Sequence, residues 1–196
     1  MPKLEANQSS RELVPAWTHL AYLYSIVDLW TQPGSVKFPD PKRQLEFTYE
    51  LVGELREFDG EQKPMVISQK VTMPRALNEK SNLYKIMIQL NGGKALTAGQ
   101  LTYFDTEEWI GKPCTVTVTH SDDGRYANVL SVGSIAKGIT MPAQFNPSFF
   151  FDLDKFDADK LEKLPQRKRE KVQSSPEYMA VLDSTINFWE EDLPFN

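Results

Sequence analysis

Residues 112–135, KPCTVTVTHSDDGRYANVLSVGSI, read as two strands and the turn between them. Lys112–His120 alternates strictly, with Cys114, Val116 and Val118 on one side and threonines on the other, the period-two pattern of a half-buried strand. SDDG at 121–124 is a hairpin turn, and Arg125–Ile135 is the returning strand. Upstream, Leu77, Leu83, Ile86, Met87 and Leu90 recur at three- and four-residue steps, so the spacing predicts a helix over Arg75–Leu90 closed by Asn91-Gly92-Gly93. Three strand-like runs precede it: Leu20–Trp30, Gln44–Leu51 and Met65–Met73. In the first, Tyr22, Tyr24, Ile26, Asp28 and Trp30 share one face, opposite Leu23, Ser25, Val27 and Leu29. In the second, Leu45, Phe47, Tyr49 and Leu51 face a core, while Gln44, Glu46, Thr48 and Glu50 face solvent. TQPGSVKFPDPKR at 31–43 is a loop carrying Lys37, Lys42 and Arg43, and Asp59-Gly60 marks the next turn.

Three strands, a helix and a strand pair are the order of a five-stranded OB-fold barrel (β-β-β-α-β-β), so the expected class is mainly β. The chain divides into a flexible N-terminus at 1–16, a barrel domain at 17–136, a C-terminal extension at 137–182 and an acidic tail at 183–196. The extension opens Pro- and Phe-rich, as an arm laid on the barrel would. Residues 157–171 are highly charged with a proline in the middle, so a helix there is short or kinked.

The 196 residues carry net charge −5, with 22 Lys+Arg against 27 Asp+Glu. Asp183, Glu190, Glu191 and Asp192 supply most of that acidity, with no base among the last fourteen residues. Set the tail aside and the body is near neutral, which permits a polyanionic partner. One cysteine, Cys114, excludes a disulfide framework and fits a reducing cytoplasm. His19 and His120 with that cysteine do not make a structural zinc site. No run is long and apolar enough to span a membrane, and the N-terminus lacks the apolar stretch of a signal peptide.

Catalytic patterns are missing. No phosphate-cradling GxxxxGK[ST] or GxGxxG loop occurs, and Gly92-Gly93-Lys94 follows a helix, so it is a helix stop. Glu107-Glu108 and Asp122-Asp123 are adjacent pairs on a link and a turn, pointing to solvent. A non-enzymatic protein without cofactor or metal is expected. Binding a nucleic-acid single strand needs aromatic faces for bases and scattered cations for phosphates. Tyr22, Tyr24, Trp30 and Tyr126 are the candidate faces; Lys37, Lys42, Arg43, Lys70, Arg75, Lys112 and Arg125 are the candidate cations. For Tyr22 and Tyr24, core packing and base stacking both fit the alternation.

The chain ends STINFWEEDLPFN, an acidic lead before an apolar hook. Acids steer toward a basic surface, Phe195 suits a pocket, and Pro194 lowers the ordering cost of docking. The tip Glu190-Glu191-Asp192-Leu193-Pro194-Phe195 resembles the acidic C-terminal tip of bacterial single-stranded DNA-binding proteins, which ends in acids followed by Ile/Leu-Pro-Phe. The body is similar to phage-encoded single-stranded DNA-binding proteins with an OB-fold, through SIVDLWTQPG at 25–34, NEKSNLYK at 78–85, IGKPCTVTVTH at 110–120 and LPQRKREKVQSSPEY at 164–178. The resemblance implies a barrel that covers single-stranded DNA during phage replication and recombination in the host cytoplasm. It also implies a tail that recruits replication or recombination proteins, and it is compatible with a homo-oligomer. In the bacterial proteins phenylalanine is the final residue; here Asn196 follows it, which puts recognition of a terminal carboxylate in doubt. The rival reading is an OB-like protein–protein adaptor that does not bind DNA.

Overall fold

The computed structural model describes residues 12–102, 104–152 and 155–191, the stretch 184–191 as backbone only. The fold is mainly β. Strands β1 (Thr18–Gln32), β2 (Lys42–Phe58), β3 (Glu61–Thr72), β4 (Pro113–His120) and β5 (Ala127–Gly133) form an antiparallel sheet in the order β3-β2-β1-β4-β5. A short strand β6 (Phe149–Phe151) pairs parallel with β1 at Ser25–Val27. Helix α1 (Asn82–Leu90) lies against β3, β4 and β5, across the gap between the two ends of the sheet. No ladder joins β3 to β5 among the described residues, so the hydrogen-bonded ring is not closed.

Local chemistry explains most of these boundaries. Asp59 and Gly60 both have positive φ, 53° and 81°, the paired left-handed geometry of the tight turn that joins twisted antiparallel strands. The helix is shorter than its apolar spacing predicts. Asn78 folds residues 78–81 into a turn by accepting from the Lys80 N–H, and Ser81 then caps the helix by accepting from the Tyr84 N–H. Leu77 still packs on the core, but from just before that turn. At the other end Gly92 and Gly93 take φ of 70° and 78°, and the Gly93 N–H returns to the Ile88 carbonyl.

Strand β1 departs from simple alternation. Leu23 pairs with Tyr49 and Ser25 with Thr48, so Tyr24 is an extra residue and the faces exchange there. Ala21, Leu23 and Ile26 thus enter one core with Phe47, Tyr49 and Leu51, whereas Val27 and Leu29 enter a second. A further bulge between Asp28 and Thr31 contains Trp30, at φ 62°. The single face expected for Tyr22, Tyr24, Ile26, Asp28 and Trp30 is therefore broken in two places.

The outer face of β2 is not solvated either, contrary to its pattern. Glu46, Thr48 and Glu50 are buried beneath the C-terminal extension. Residues 142–151 run across this face as the expected arm. Tyr22 donates to the Pro142 carbonyl at 2.8 Å, and Glu50 accepts from the N–H groups of Phe145 and Asn146 and from the Asn146 amide at 2.6–2.7 Å. Two short helices follow, α2 (Ala158–Glu162) and α3 (Gln166–Gln173), separated at Leu164-Pro165 as the charged stretch predicted. Leu161, Leu164 and Val172 close the second core over Val27, Leu29 and Phe151. Helix α4 (Pro176–Glu191) carries the chain through much of the expected tail. Its first turn is held where Thr31 donates to Glu177 and where the Tyr178 ring lies 6.0 Å from Trp30.

Glu50 is wholly buried, and its replacement by Ala would strand two backbone donors and an amide. Glu50→Ala is expected to cost about 3 kcal/mol in urea unfolding, with hydrogen exchange accelerated at 142–151. Glu50→Gln, which keeps an acceptor, should lose less.

Candidate nucleic-acid interface

The loop after β1 is short, polar and rich in proline, and it turns on itself. Ser35 and Phe38 exchange backbone hydrogen bonds at 2.8 and 3.0 Å. The closure requires Gly34, since a Cβ there would lie 2.3 Å from the backbone of Phe38 and Pro39. Its product is an exposed ring: Phe38 is 59% accessible, and the ammonium groups of Lys37 and Lys42 stand 5.6 and 5.5 Å from its centroid.

Behind this loop two hollows adjoin. A cleft of about 470 Å³ is lined by Pro41, Lys42, Arg43, Met73, Pro74 and Arg75. A pocket of about 380 Å³ has apolar walls of Ile26, Leu45, Met73, Phe104 and Phe150, with Asp105, Thr106, Asp152 and Lys155 among its polar lining. Arg43 and Met73 border both, which joins them. Asp28 fixes Arg43 there, accepting from its Nε at 2.8 Å and from the Trp30 N–H at 2.8 Å. Burial raises the Asp28 carboxyl above its ordinary range, and Arg43 opposes that shift.

The fold thus gathers Lys37, Lys42, Arg43 and Arg75 at one end of β1. Others it separates. Arg125 and Tyr126 are exposed on the β4–β5 hairpin, Arg125 near Asp123 at 3.7 Å and Tyr126 65% accessible. That hairpin lies beyond the start of β1, because Thr117 pairs with Thr18 and His120 Nε2 meets the Val14 carbonyl at 2.8 Å. Lys112 is exposed at the entry to β4, where Pro113 pairs with Tyr22. Lys70 projects from the outer face of β3, opposite Glu46.

Among the aromatics, Trp30 is 0% exposed and packs against Phe156 and Tyr178 at 6.3 and 6.0 Å. In this arrangement its faces are occupied by protein rings. Tyr22 and Tyr24 lie half-buried beside the arm, outside the main core. Burial, and then Glu50, raises the Tyr24 phenol above its usual value, so it stays a neutral donor. Of the tail, Asp192, Leu193, Pro194 and Phe195 lie outside the described residues, as do the side chains of Glu190 and Glu191.

Lys37 and Lys42 are readable from the sequence as loop cations, whereas Phe38 between them is not among the candidates. Phe38 lies in a stretch with Pro33, Gly34, Pro39 and Pro41, too rich in turn residues to form a strand or helix, and that was the available signal. Phe104 and Phe150 sit in a link and an arm without periodicity, where no sequence signal marks them. In comparisons with known proteins, no family model matches the chain, and no curated protein matches it.

Core and surface aromatics should separate in unfolding experiments. Trp30→Ala is expected to lose about 3–5 kcal/mol, and Phe38→Ala less than about 0.5 kcal/mol. Cys114 offers a second check, because burial pushes its thiol up to about 12. The native protein at pH 8 should resist a disulfide reagent that reacts at once with urea-unfolded chain.

Proposed function

We propose that this chain is a non-enzymatic, sequence-tolerant single-stranded DNA-binding protein built on an OB-type barrel. The observation that carries the reading is Phe38, an exposed ring already framed by two ammonium groups at the lip of a cleft with further cations. Every base has a π-face and every nucleotide a phosphate, so a ring with cations beside it binds a strand without reading its sequence. Lys42, Arg43 and Arg75 continue the positive edge beyond the ring. The apolar pocket bordered by Phe104 and Phe150 supplies a place for a second unstacked base.

The resemblance of the C-terminal tip to that of bacterial single-stranded DNA-binding proteins supports a second part of the proposal. Glu190, Glu191, Asp192, Leu193, Pro194 and Phe195 form a docking tip for replication or recombination proteins, in a phage setting. Separating a DNA-covering body from a partner-seeking tail also accounts for the charge distribution, since a near-neutral body and an acidic end serve opposite partners.

Anisotropy of a labelled 35-mer oligo(dT), with a duplex of equal length as control, tests the reading. Saturable binding to the single strand that weakens with salt is the expected result, with duplex binding much weaker. Phe38→Ala should lose about 1–3 kcal/mol of affinity, a factor of roughly 5 to 150, while remaining folded. A wild-type protein silent toward oligo(dT) at low salt overturns the proposal and leaves the adaptor reading.

A further inference from the structure

Helix α3 carries four basic residues, and its contacts sort them. Arg169 donates to the Glu162 carboxylate at 2.7 Å, and Lys168 reaches Glu46 and Thr48, each at 3.0 Å. Glu170 accepts from Gln166 at 2.8 Å. Arg167 and Lys171 remain, and β3 presents Lys70 to them across the outer face. No ion pair among the described residues involves Lys70, Arg167 or Lys171. The nearest acid, Glu46, is already engaged by Lys168.

Three cations therefore stand together without an acid of their own. The fold fixes the backbone that carries Lys70 and Lys171. Val172, beside Lys171, is fully buried in the second core, and Gln32 Nε2 donates to the Lys171 carbonyl at 2.9 Å. Lys70 is held opposite Glu46 by the β2–β3 ladder. Like charges at close range are destabilising, and flexible lysines normally splay into water to avoid it. Here Lys70 is near enough to Lys171 to be the main charge acting on its ammonium. A compact anion bridging them would convert the repulsion into two charge-assisted hydrogen bonds. Lys70 and Arg167 are exposed, so the position is open to a ligand.

We propose that Lys70, Arg167 and Lys171 form a phosphate seat that grips one phosphodiester of the bound single strand. This rests on the DNA-binding reading above and adds a contact supplied by the extension. A strand leaving the hollows reaches the seat round the end of β3, since Lys70 is on its outer face. Lys70 lies three residues from Met73, about 10 Å along an extended chain, and Met73 borders both hollows behind Phe38. Arg167 and Lys171 lie in the stretch 164–178, which the sequence reading associated with the family but not with any chemistry.

Protonation supports the assignment. Burial, then the neighbouring Lys70 and Arg167, lowers the Lys171 ammonium to about 8, with Glu46 pulling the other way. A neutral fraction of Lys171 is then present near pH 8. A phosphodiester favours the charged form, raises that value again, and draws a proton from solution as it binds.

The experiment compares wild type with Lys70→Gln, Lys171→Gln, the double variant and Lys171→Arg, using oligo(dT) 35-mer over a range of NaCl. The double Gln variant should flatten the slope of log K against log salt by about 0.7, the share of one phosphate, and each single Gln substitution by less; Lys171→Arg should keep the wild-type slope. Calorimetry at pH 8 in buffers of different ionisation enthalpy should show net proton uptake on binding by wild type that is lost in Lys171→Gln and Lys171→Arg. Urea midpoints of the Gln variants should match or exceed wild type, since repulsion is removed. An unchanged slope in the double variant, with wild-type oligo(dT) binding intact, overturns the seat and spares the DNA-binding reading. Loss of oligo(dT) binding already in wild type overturns that reading and the seat with it. Inorganic phosphate that displaces the oligonucleotide at equal concentration of phosphate groups would mark a free-anion site and overturn the phosphodiester assignment.

Discussion

One extra residue at Tyr24 lets β1 face two cores. A strand with one buried side needs strict alternation, and Leu23 keeps it up to the bulge. Beyond the bulge Ile26 remains with the main core while Val27 and Leu29 turn outward to Phe151, Leu161 and Val172. The second core cannot form without the extension, whose Phe151, Leu161, Leu164 and Val172 supply most of it. The arm, the two short helices and the base of α4 all depend on that exchange of faces.

The polar face of β2 follows from the same constraint. Glu46, Thr48 and Glu50 suit a wet surface, and burying carboxylates costs several kcal/mol unless each finds donors. The extension brings them: backbone and amide N–H groups to Glu50, an ammonium to Glu46, and the same ammonium to Thr48. Electrostatic complementarity thus fixes where the arm and α3 sit, and apolar packing holds them there. Supplying Lys168 from a basic helix brings its neighbours as well. Arg167 and Lys171 reach the same face one turn apart, where β3 already places Lys70. A local cationic excess arises on a chain whose overall charge is negative.

Much of this architecture was legible, for reasons particular residues make clear. The inward set of β2 was readable because it is unbroken, and Asp59-Gly60 because the turn demands two positive φ values. Gly92-Gly93 marked the helix end for the same reason. The helix start was misjudged because Leu77 satisfies the helical period from just before a turn; the signal that decides it is the Ser81 cap. The bulge at Tyr24 is invisible to periodicity, since an inserted residue leaves a sequence that still alternates. Trp30 therefore looked like a companion of Tyr22, when it belongs with Phe156 and Tyr178 more than a hundred residues away. At the candidate site the loop lysines were legible by type alone. Phe38 was not, because its value lies in exposure, which the fold decides.

Residues beyond 136 share both cores with the strands that precede them. A chain ending there would expose Val27, Leu29 and Trp30 to water and leave Glu50 without its donors. Trp30, Thr31 and Gln32 lead directly into the loop that carries Phe38. The same three residues receive the extension: Tyr178 packs beside Trp30, Thr31 donates to Glu177, and Gln32 donates to Lys171. Asp28, two residues earlier, holds Arg43 at the far side of that loop. The geometry of the platform is thus set from both sides, by an ion pair within the sheet and by helices from the extension. The arm and helices are part of the scaffold that holds the loop, and the cations of α3 stand beside β3 only because that scaffold is complete.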